Sequence, residues 1–185
     1  MRIIGGTHRG TTLAAVGKGD AAAHLRPTTD RVRENLFNVL LGGRLGDPVQ
    51  EAKVLDLFAG TGALGLEALS RGASHVTFVD KGRVAVRLIR ENIGKLGRDG
   101  NTRLLATNAT RLPAGTACNL IFLDPPYGQN LGMSSLMSAQ SQGWLAPGAL
   151  IVWEESMAQT APPGFILEDQ RRYGDTWISF LRHDT

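Results

Sequence analysis

The sequence predicts an α/β protein with a mostly parallel sheet, helices on both faces and an antiparallel hairpin at its end. Three observations carry this expectation. From about residue 54, short apolar runs alternate with stretches of helical periodicity. Those runs are apolar throughout, as in strands covered on both faces. After residue 165, two strand-like segments follow each other across a tight turn with no helix between them.

The first 25 residues are rich in Gly, Thr and Ala, with apolar stretches at 2–4 and 12–16, and read as a small β-hairpin or extended arm. Val32, Leu36, Val39 and Leu40 then recur at helical spacing. Thr28 or Thr29 caps that helix and Gly42-Gly43 stops it. Gly46-Asp47-Pro48 marks a boundary, dividing an N-terminal arm over 1–46 from a main domain over 47–185. Strands are expected at 54–58, 76–79, 103–106, 120–123 and 149–153. Helices are expected at 63–70, 84–96 and 134–142, the second turning Val84, Leu88 and Ile93 inward. The segments 165–171 and 176–181, joined by Tyr173-Gly174-Asp175, form the terminal hairpin.

At 185 residues the chain suits one cored domain with a small appendage. It contains no apolar run of about 18 residues, the length a membrane helix needs, and its start lacks the pattern of a secretory signal. A single Cys118 excludes an internal disulfide and fits a reducing cytosol. No Cys/His cluster has zinc-site spacing, so no metal is expected. The net charge of +3 is unevenly placed. Residues 1–33 hold Arg2, Arg9, Lys18, Arg26, Arg31 and Arg33 against Asp20 and Asp30. The rest of the chain is slightly acidic, so the positive excess sits in the arm, as it would if the arm met a phosphate backbone. Short arms are also basic for solubility alone.

The segment from Asp56 to Gly65 closes the first strand and opens the next helix. Gly60 and Gly62 let the backbone turn tightly and approach a ligand, and Gly65 allows close helix–strand packing. Asp80 ends the second strand, where a carboxylate can accept both hydroxyls of a ribose. Asp56 could orient the loop amides or sit near a ligand's ammonium group. This pattern serves NAD and S-adenosylmethionine alike.

The following motif separates them. Asp124-Pro125-Pro126-Tyr127 lies after the fourth strand, at the carboxyl edge where open parallel sheets bind ligands. The prolines remove amide donors, leaving carbonyls as free acceptors. Asp124 and the Pro125 carbonyl can grip both hydrogens of an –NH₂ group and aim its lone pair at an electrophile. Tyr127 offers a face on which a base stacks, worth about 1–3 kcal/mol. A dehydrogenase has no use for such a clamp. Cys118 precedes its strand and reads as a core residue, so transfer to nitrogen is favoured over thiolate-assisted transfer to carbon.

Together these segments resemble the RsmD family of small-subunit ribosomal RNA guanine-N2 methyltransferases along nearly the whole chain. The likeness is carried by Arg2-Ile3-Ile4-Gly5-Gly6 with Arg9-Gly10, by Arg26-Pro27-Thr28 with the run from Asp30 to Asn38, by the Asp56–Gly62 segment with Gly65, by Asp124-Pro125-Pro126-Tyr127 and by the hairpin turn 173–176. The resemblance implies a Rossmann-like class I methyltransferase with a seven-stranded sheet and S-adenosyl-L-methionine as donor. It implies a guanine of 16S rRNA as acceptor, within the 30S subunit or an assembly intermediate, and a cytoplasmic monomer. Carried over by position, Asp56, Phe58, Ala59, Gly60, Thr61 and Gly62 border the donor's methionine part. Asp80 and Lys81 lie at the ribose, and Asn108 and Ala109 at the adenine edge. Asp124 also lies beside the donor and, with Pro125 and Tyr127, holds the guanine. Arg9, Arg26, Arg31 and Arg33 face RNA, although Arg31 could instead pair with Glu34. Many relatives have Asp where this chain has Asn108. The same clamp also serves adenine-N6 DNA methyltransferases, and a non-catalytic binding module stays a third reading.

Overall fold

The computed structural model describes residues 1–17 and 28–184. Among these residues, four helices and seven strands build a three-layer α/β/α domain. The helices are α1 (Asp30–Leu40), α2 (Ala63–Ser70), α3 (Arg83–Leu96) and α4 (Leu131–Ser141). The strands are β1 (Lys53–Leu57), β2 (His75–Val79), β3 (Thr102–Leu105), β4 (Cys118–Leu123), β5 (Leu145–Glu155), β6 (Phe165–Tyr173) and β7 (Thr176–His183). Their order across the sheet is β3-β2-β1-β4-β5-β7-β6. The five strands β1 to β5 pair in parallel, while β7 runs antiparallel to both β5 and β6. This is the mostly parallel sheet with a terminal hairpin that the residue pattern predicts.

Strand side chains alternate between faces, and the two cores follow that alternation. Val54, Phe78, Phe122, Val152 and Phe180 point into one core with α1, α2 and α3. Leu57, Val79, Leu123, Trp153 and Leu181 point into the other with α4. Thr29 caps α1 by accepting from the Val32 amide at 3.3 Å. In α3, Leu88 and Ile93 are buried as expected, whereas Val84 is only half-buried. β5 begins at Leu145, earlier than its apolar run suggests, because Leu145 already pairs with Cys118.

The N-terminal hairpin reduces to one bridge, Arg2 to Thr12, with a short 3₁₀ turn at Gly6–His8. Its apolar residues Ile3 and Leu13 lie in the same core as α1, Leu45, Val49 and the sheet. The boundary read at residue 46 is therefore no break in packing. The arm is one wall of the core.

Candidate active site

Register puts the acidic groups in a row. Leu57 of β1 pairs with Val79 of β2 and with Leu123 of β4, and Leu123 pairs with Trp153 of β5. One residue further along each chain stand Phe58, Asp80, Asp124 and Glu154. Phe58, Asp80 and Asp124 therefore leave the sheet at its carboxyl edge, the side on which ligands bind in open parallel sheets, and Glu154 stands at the same level inside β5, still paired with Ile178 of β7.

The turn after β1 needs unusual backbone. Phe58, Gly60 and Gly62 have φ of 59°, 59° and 80°. Phe58 bears a side chain in that region, a strain of about 1–3 kcal/mol that clusters at functional sites. The turn is held from both sides. Asp80 accepts from the Gly60 amide at 3.0 Å through one carboxylate oxygen and from the Gly82 amide at 2.8 Å through the other. Each oxygen has a second acceptor position, so a diol can still be bound there. Lys81 beside it is exposed.

Asp56 meets the first turn of α2. Its carboxylate is 1 % exposed and accepts from the Gly65 amide at 3.0 Å, tying α2 to β1. Burial pushes its pKa up to about 7, against the lowering effect of the Gly65 hydrogen bond and with the Asp80 charge adding to the rise. One oxygen of this carboxylate is thus engaged with the start of α2. Thr61 is largely buried, and its carbonyl accepts from the Asn92 amide group at 2.9 Å. Ala59 is half-buried. At the next strand end, the Asn108 carbonyl oxygen receives both the amide and the hydroxyl of Thr110 at 3.0 Å and caps a 3₁₀ turn. The accepting end of this carboxamide is thus engaged locally, and the Ala109 methyl is buried in the second core.

Asp124 and Tyr127 are joined in one cluster through Thr28 and Glu154. Pro125 is buried and Asp124 half-buried. The Thr28 hydroxyl stands 3.4 Å from Asp124 Oδ2 and 3.4 Å from Glu154 Oε2. Tyr127 donates its hydroxyl to Glu154 Oε1 at 3.1 Å, and the same oxygen lies 3.2 Å from Thr176 Oγ1. Burial, ahead of the nearby Glu154 and Asp124 charges, pushes the Tyr127 phenol well above its usual range, so it remains a donor. Thr28 and Thr176 enter the sequence reading only as a helix cap and as part of the resembling segments, and Glu154 not at all; none is expected at the site. Glu154 carried a readable signal, since it follows an apolar strand as Asp80 and Asp124 do.

Of the four arginines expected to face RNA, Arg9 and Arg31 are exposed, and Arg26 lies outside the described residues. Arg33 does not face solvent: it is 0 % exposed. Its guanidinium donates to the Arg2 carbonyl and to Asp30 Oδ1, the latter at 2.9 Å, and lies 3.7 Å from Glu67 Oε2. Glu67, also 0 % exposed, accepts from the Ile4 and Gly5 amides at 2.8 Å each and from Arg71 Nε at 2.7 Å. Arg33 is thus spent on fixing the arm to α2, because a buried charge is tolerated only when paired. Glu67 went unnoticed in the sequence, where its signal was a lone acid within the apolar run of α2.

Cys118 is buried at the opposite edge of the sheet, and burial pushes its thiol up to about 11. It is no thiolate nucleophile. A cavity of about 230 Å³ at that edge, lined by Lys53, His75, Arg103 and Cys118 among others, is far from the acidic row. Among the described residues no group of acidic, His or Cys side chains could hold a metal, and no helix is long and apolar enough to cross a membrane.

A β3-β2-β1-β4-β5-β7-β6 sheet with a glycine turn after β1 and an Asp-Pro-Pro-Tyr corner after β4 defines a class I methyltransferase. A family model described as "Conserved hypothetical protein 95" matches residues 1–182. The chain belongs to that family, the RsmD methyltransferases. It is 40 % identical over 164 residues to the Ribosomal RNA small subunit methyltransferase D of Escherichia coli K12, covering 88 % of this chain and 78 % of the relative. The solved Escherichia coli protein yhhF superposes with a TM-score of 0.84 at 37 % identity, over 100 % of this chain and 98 % of that one. An RNA methyltransferase of Salinibacter ruber, solved with S-adenosyl-L-homocysteine, has the same fold at 14 % identity, with a TM-score of 0.67 over 86 % of this chain and 94 % of that one. The protein is a methyltransferase.

Proposed function

We propose that this enzyme methylates the exocyclic N2 amine of a guanine in 16S rRNA, using S-adenosyl-L-methionine, within the 30S subunit or an assembly intermediate. The reading places it in the cytoplasm as a monomer. The observation that carries it is the joining of Asp124, Tyr127, Thr28 and Glu154 in one cluster on the same sheet edge as the Asp80-held glycine turn. The relative's printed substrate, small-subunit ribosomal RNA, supports the acceptor class.

The residues fit the donor. Asp80 keeps acceptor positions for ribose hydroxyls, and Gly60 and Gly62 present no Cβ where the backbone must approach a ligand. Bound there, S-adenosylmethionine supplies a methyl group on a sulfonium, already a strong electrophile. The protein's task is then orientation. Asp124 and the Pro125 carbonyl draw on the two amine hydrogens and turn the nitrogen lone pair toward the methyl. Transfer would break the sulfur–methyl bond, its electron pair staying on sulfur to leave neutral S-adenosylhomocysteine, and the Asp124 carboxylate would be placed to accept the proton that the methylated amine sheds. Tyr127, its hydroxyl fixed by Glu154 and Thr176, holds the face of an unstacked base. The exposed Arg9 and Arg31, together with Arg26, meet the phosphate backbone.

The test offers 30S subunits from cells lacking this protein, and duplex DNA, with labelled donor. N2-methylguanosine in 16S rRNA is expected by nucleoside mass spectrometry. Label in DNA, or on adenine N6, overturns the reading. Asp124→Ala should lower turnover on these subunits by about 10²–10³-fold, as for loss of a preorganised polar contact to reacting atoms. Donor affinity measured by calorimetry should stay close to that of the parent.

A further inference from the structure

Holding an amine needs one carboxylate and one carbonyl, yet this edge presents two carboxylates. Glu154 sits one residue past Trp153, which pairs directly with Leu123, the residue before Asp124. The two acids therefore stand at the same height on neighbouring parallel strands, Asp124 just past the end of β4 and Glu154 within β5, where it pairs with Ile178 of β7. One hydroxyl, that of Thr28, lies 3.4 Å from an oxygen of each. Glu154 is 8 % exposed, and its other oxygen accepts from the Tyr127 hydroxyl, the group that fixes the stacking ring. A second carboxylate thus stands beside the first, within hydrogen-bond distance of two hydroxyls.

The chemistry of the two purines supplies a reason. An ionised carboxylate only accepts hydrogen bonds. On the edge of guanine, the N2 amine is flanked by N1–H, a second donor. On adenine, the N6 amine is flanked by N1 with a bare lone pair. A pair of carboxylates matches guanine along that edge and sets lone pair against carboxylate for adenine. Rejection by a buried, unmatched polar contact is the stronger form of selectivity.

Resting on the guanine-N2 reading above, we propose that Glu154 is the specificity-determining residue of the acceptor pocket: it receives the N1–H of the target guanine while Asp124 and the Pro125 carbonyl hold the neighbouring amine. Tyr127 then has a second duty, since its hydroxyl aims the Glu154 carboxylate as well as fixing the ring, while the Thr28 hydroxyl, with one proton, can donate to either acid in turn.

The test compares two reconstituted 30S particles. One carries the natural guanine at the nucleotide that the wild-type enzyme is found to methylate, and the other carries 2,6-diaminopurine there. The analogue keeps the N2 amine and presents N1 as an acceptor. Wild-type enzyme should prefer guanine in kcat/KM by about 100-fold or more. In Glu154→Gln the carboxamide can turn to donate to N1 as readily as accept from it, so the preference should fall at least about tenfold. Donor affinity by calorimetry verifies that the variant is folded. Glu154→Asp, which withdraws the carboxylate by one methylene and keeps its charge, should lower the preference in the same direction. An unchanged preference in folded Glu154→Gln overturns the inference and leaves guanine-N2 methylation standing. Equal rates of the wild-type enzyme on both particles overturn it without any variant. Methylation of adenine N6 by the wild-type enzyme overturns the underlying reading and this inference with it.

Discussion

Arg31 and Arg33 stand two positions apart on α1 and have opposite fates. The helix turns one outward and the other into the seam between the arm and α2. Arg31→Ala should weaken binding to 16S rRNA and reduce the slope of log K against log salt by about one, with stability within about 0.5 kcal/mol of the parent. Arg33→Ala leaves Glu67 buried without one of its cationic neighbours, and should cost about 3–5 kcal/mol in urea unfolding. If the two variants exchanged these effects, the assignment of charges to surface and seam would be wrong. Asp56 gives a pH signature at the same scale. Its carboxyl has an ordinary value of 3.8 and is raised to about 7 in the folded protein. The unfolded chain thus loses this proton first as pH rises. Asp56 then favours folding most below about pH 4, and its contribution declines through pH 7. In Asp56→Asn that decline is absent, while the carboxamide oxygen can still accept from Gly65. The melting temperature of the variant relative to the parent should climb between pH 4 and pH 7, and a flat difference would contradict the burial argument.

At the scale of elements, α2 is placed by contact rather than by helix propensity. All eight of its residues are buried, so the sheet, α1 and the arm determine its position. Gly65 makes the close approach possible: a Cβ there would come 2.5 Å from Phe78 Cε1 and 2.7 Å from Val76 Cγ1. Gly65→Ala should therefore push α2 off β2, costing about 1–3 kcal/mol by overpacking. Because Gly62 of the glycine turn immediately precedes α2, the same shift should disturb that turn. Calorimetric titration with S-adenosylmethionine should show weaker binding, and an unaltered affinity would separate helix packing from turn geometry. On the other side of the site, the β6–β7 hairpin meets the Tyr127 hydroxyl at Thr176, as β7 begins, and pairs with Glu154 at Ile178.

Across the whole molecule, the arm and the sheet share one core. Ile3 and Leu13 pack with Leu36, Phe37 and Phe122, and the Asn92 side chain joins the arm at Ala14 to the glycine turn at Thr61. The basic arm and the donor site should accordingly unfold as one cooperative unit. Native-state hydrogen exchange tests this through the amides of Ile3, Gly10 and Leu13, which are bonded to Thr11, Ile3 and Met1. They should exchange only as fast as the central strand amides, at the global opening rate, and markedly faster exchange would make the arm a separate unit.

The sequence by itself determined the order of elements, the glycine turn, the Asp-Pro-Pro-Tyr corner and the strand-end acid Asp80. Each depends on hydrophobic period or turn chemistry within a few residues, which is why α2 could be read as 63–70 and found as Ala63–Ser70. Only the tertiary structure decided which charges work inward and which reach the ligand edge. Arg33 reads as a surface cation in a basic helix until Glu67 and the Arg2 carbonyl close over it. Glu154 reads as one of two acids ending a strand until register sets it beside Asp124 and a hydroxyl 126 residues earlier reaches it. The physical reason is that burial and the choice of hydrogen-bond partner are properties of packed elements, set by contacts between residues distant in the chain. Local pattern fixes which elements form. It does not fix what each side chain meets when they come together.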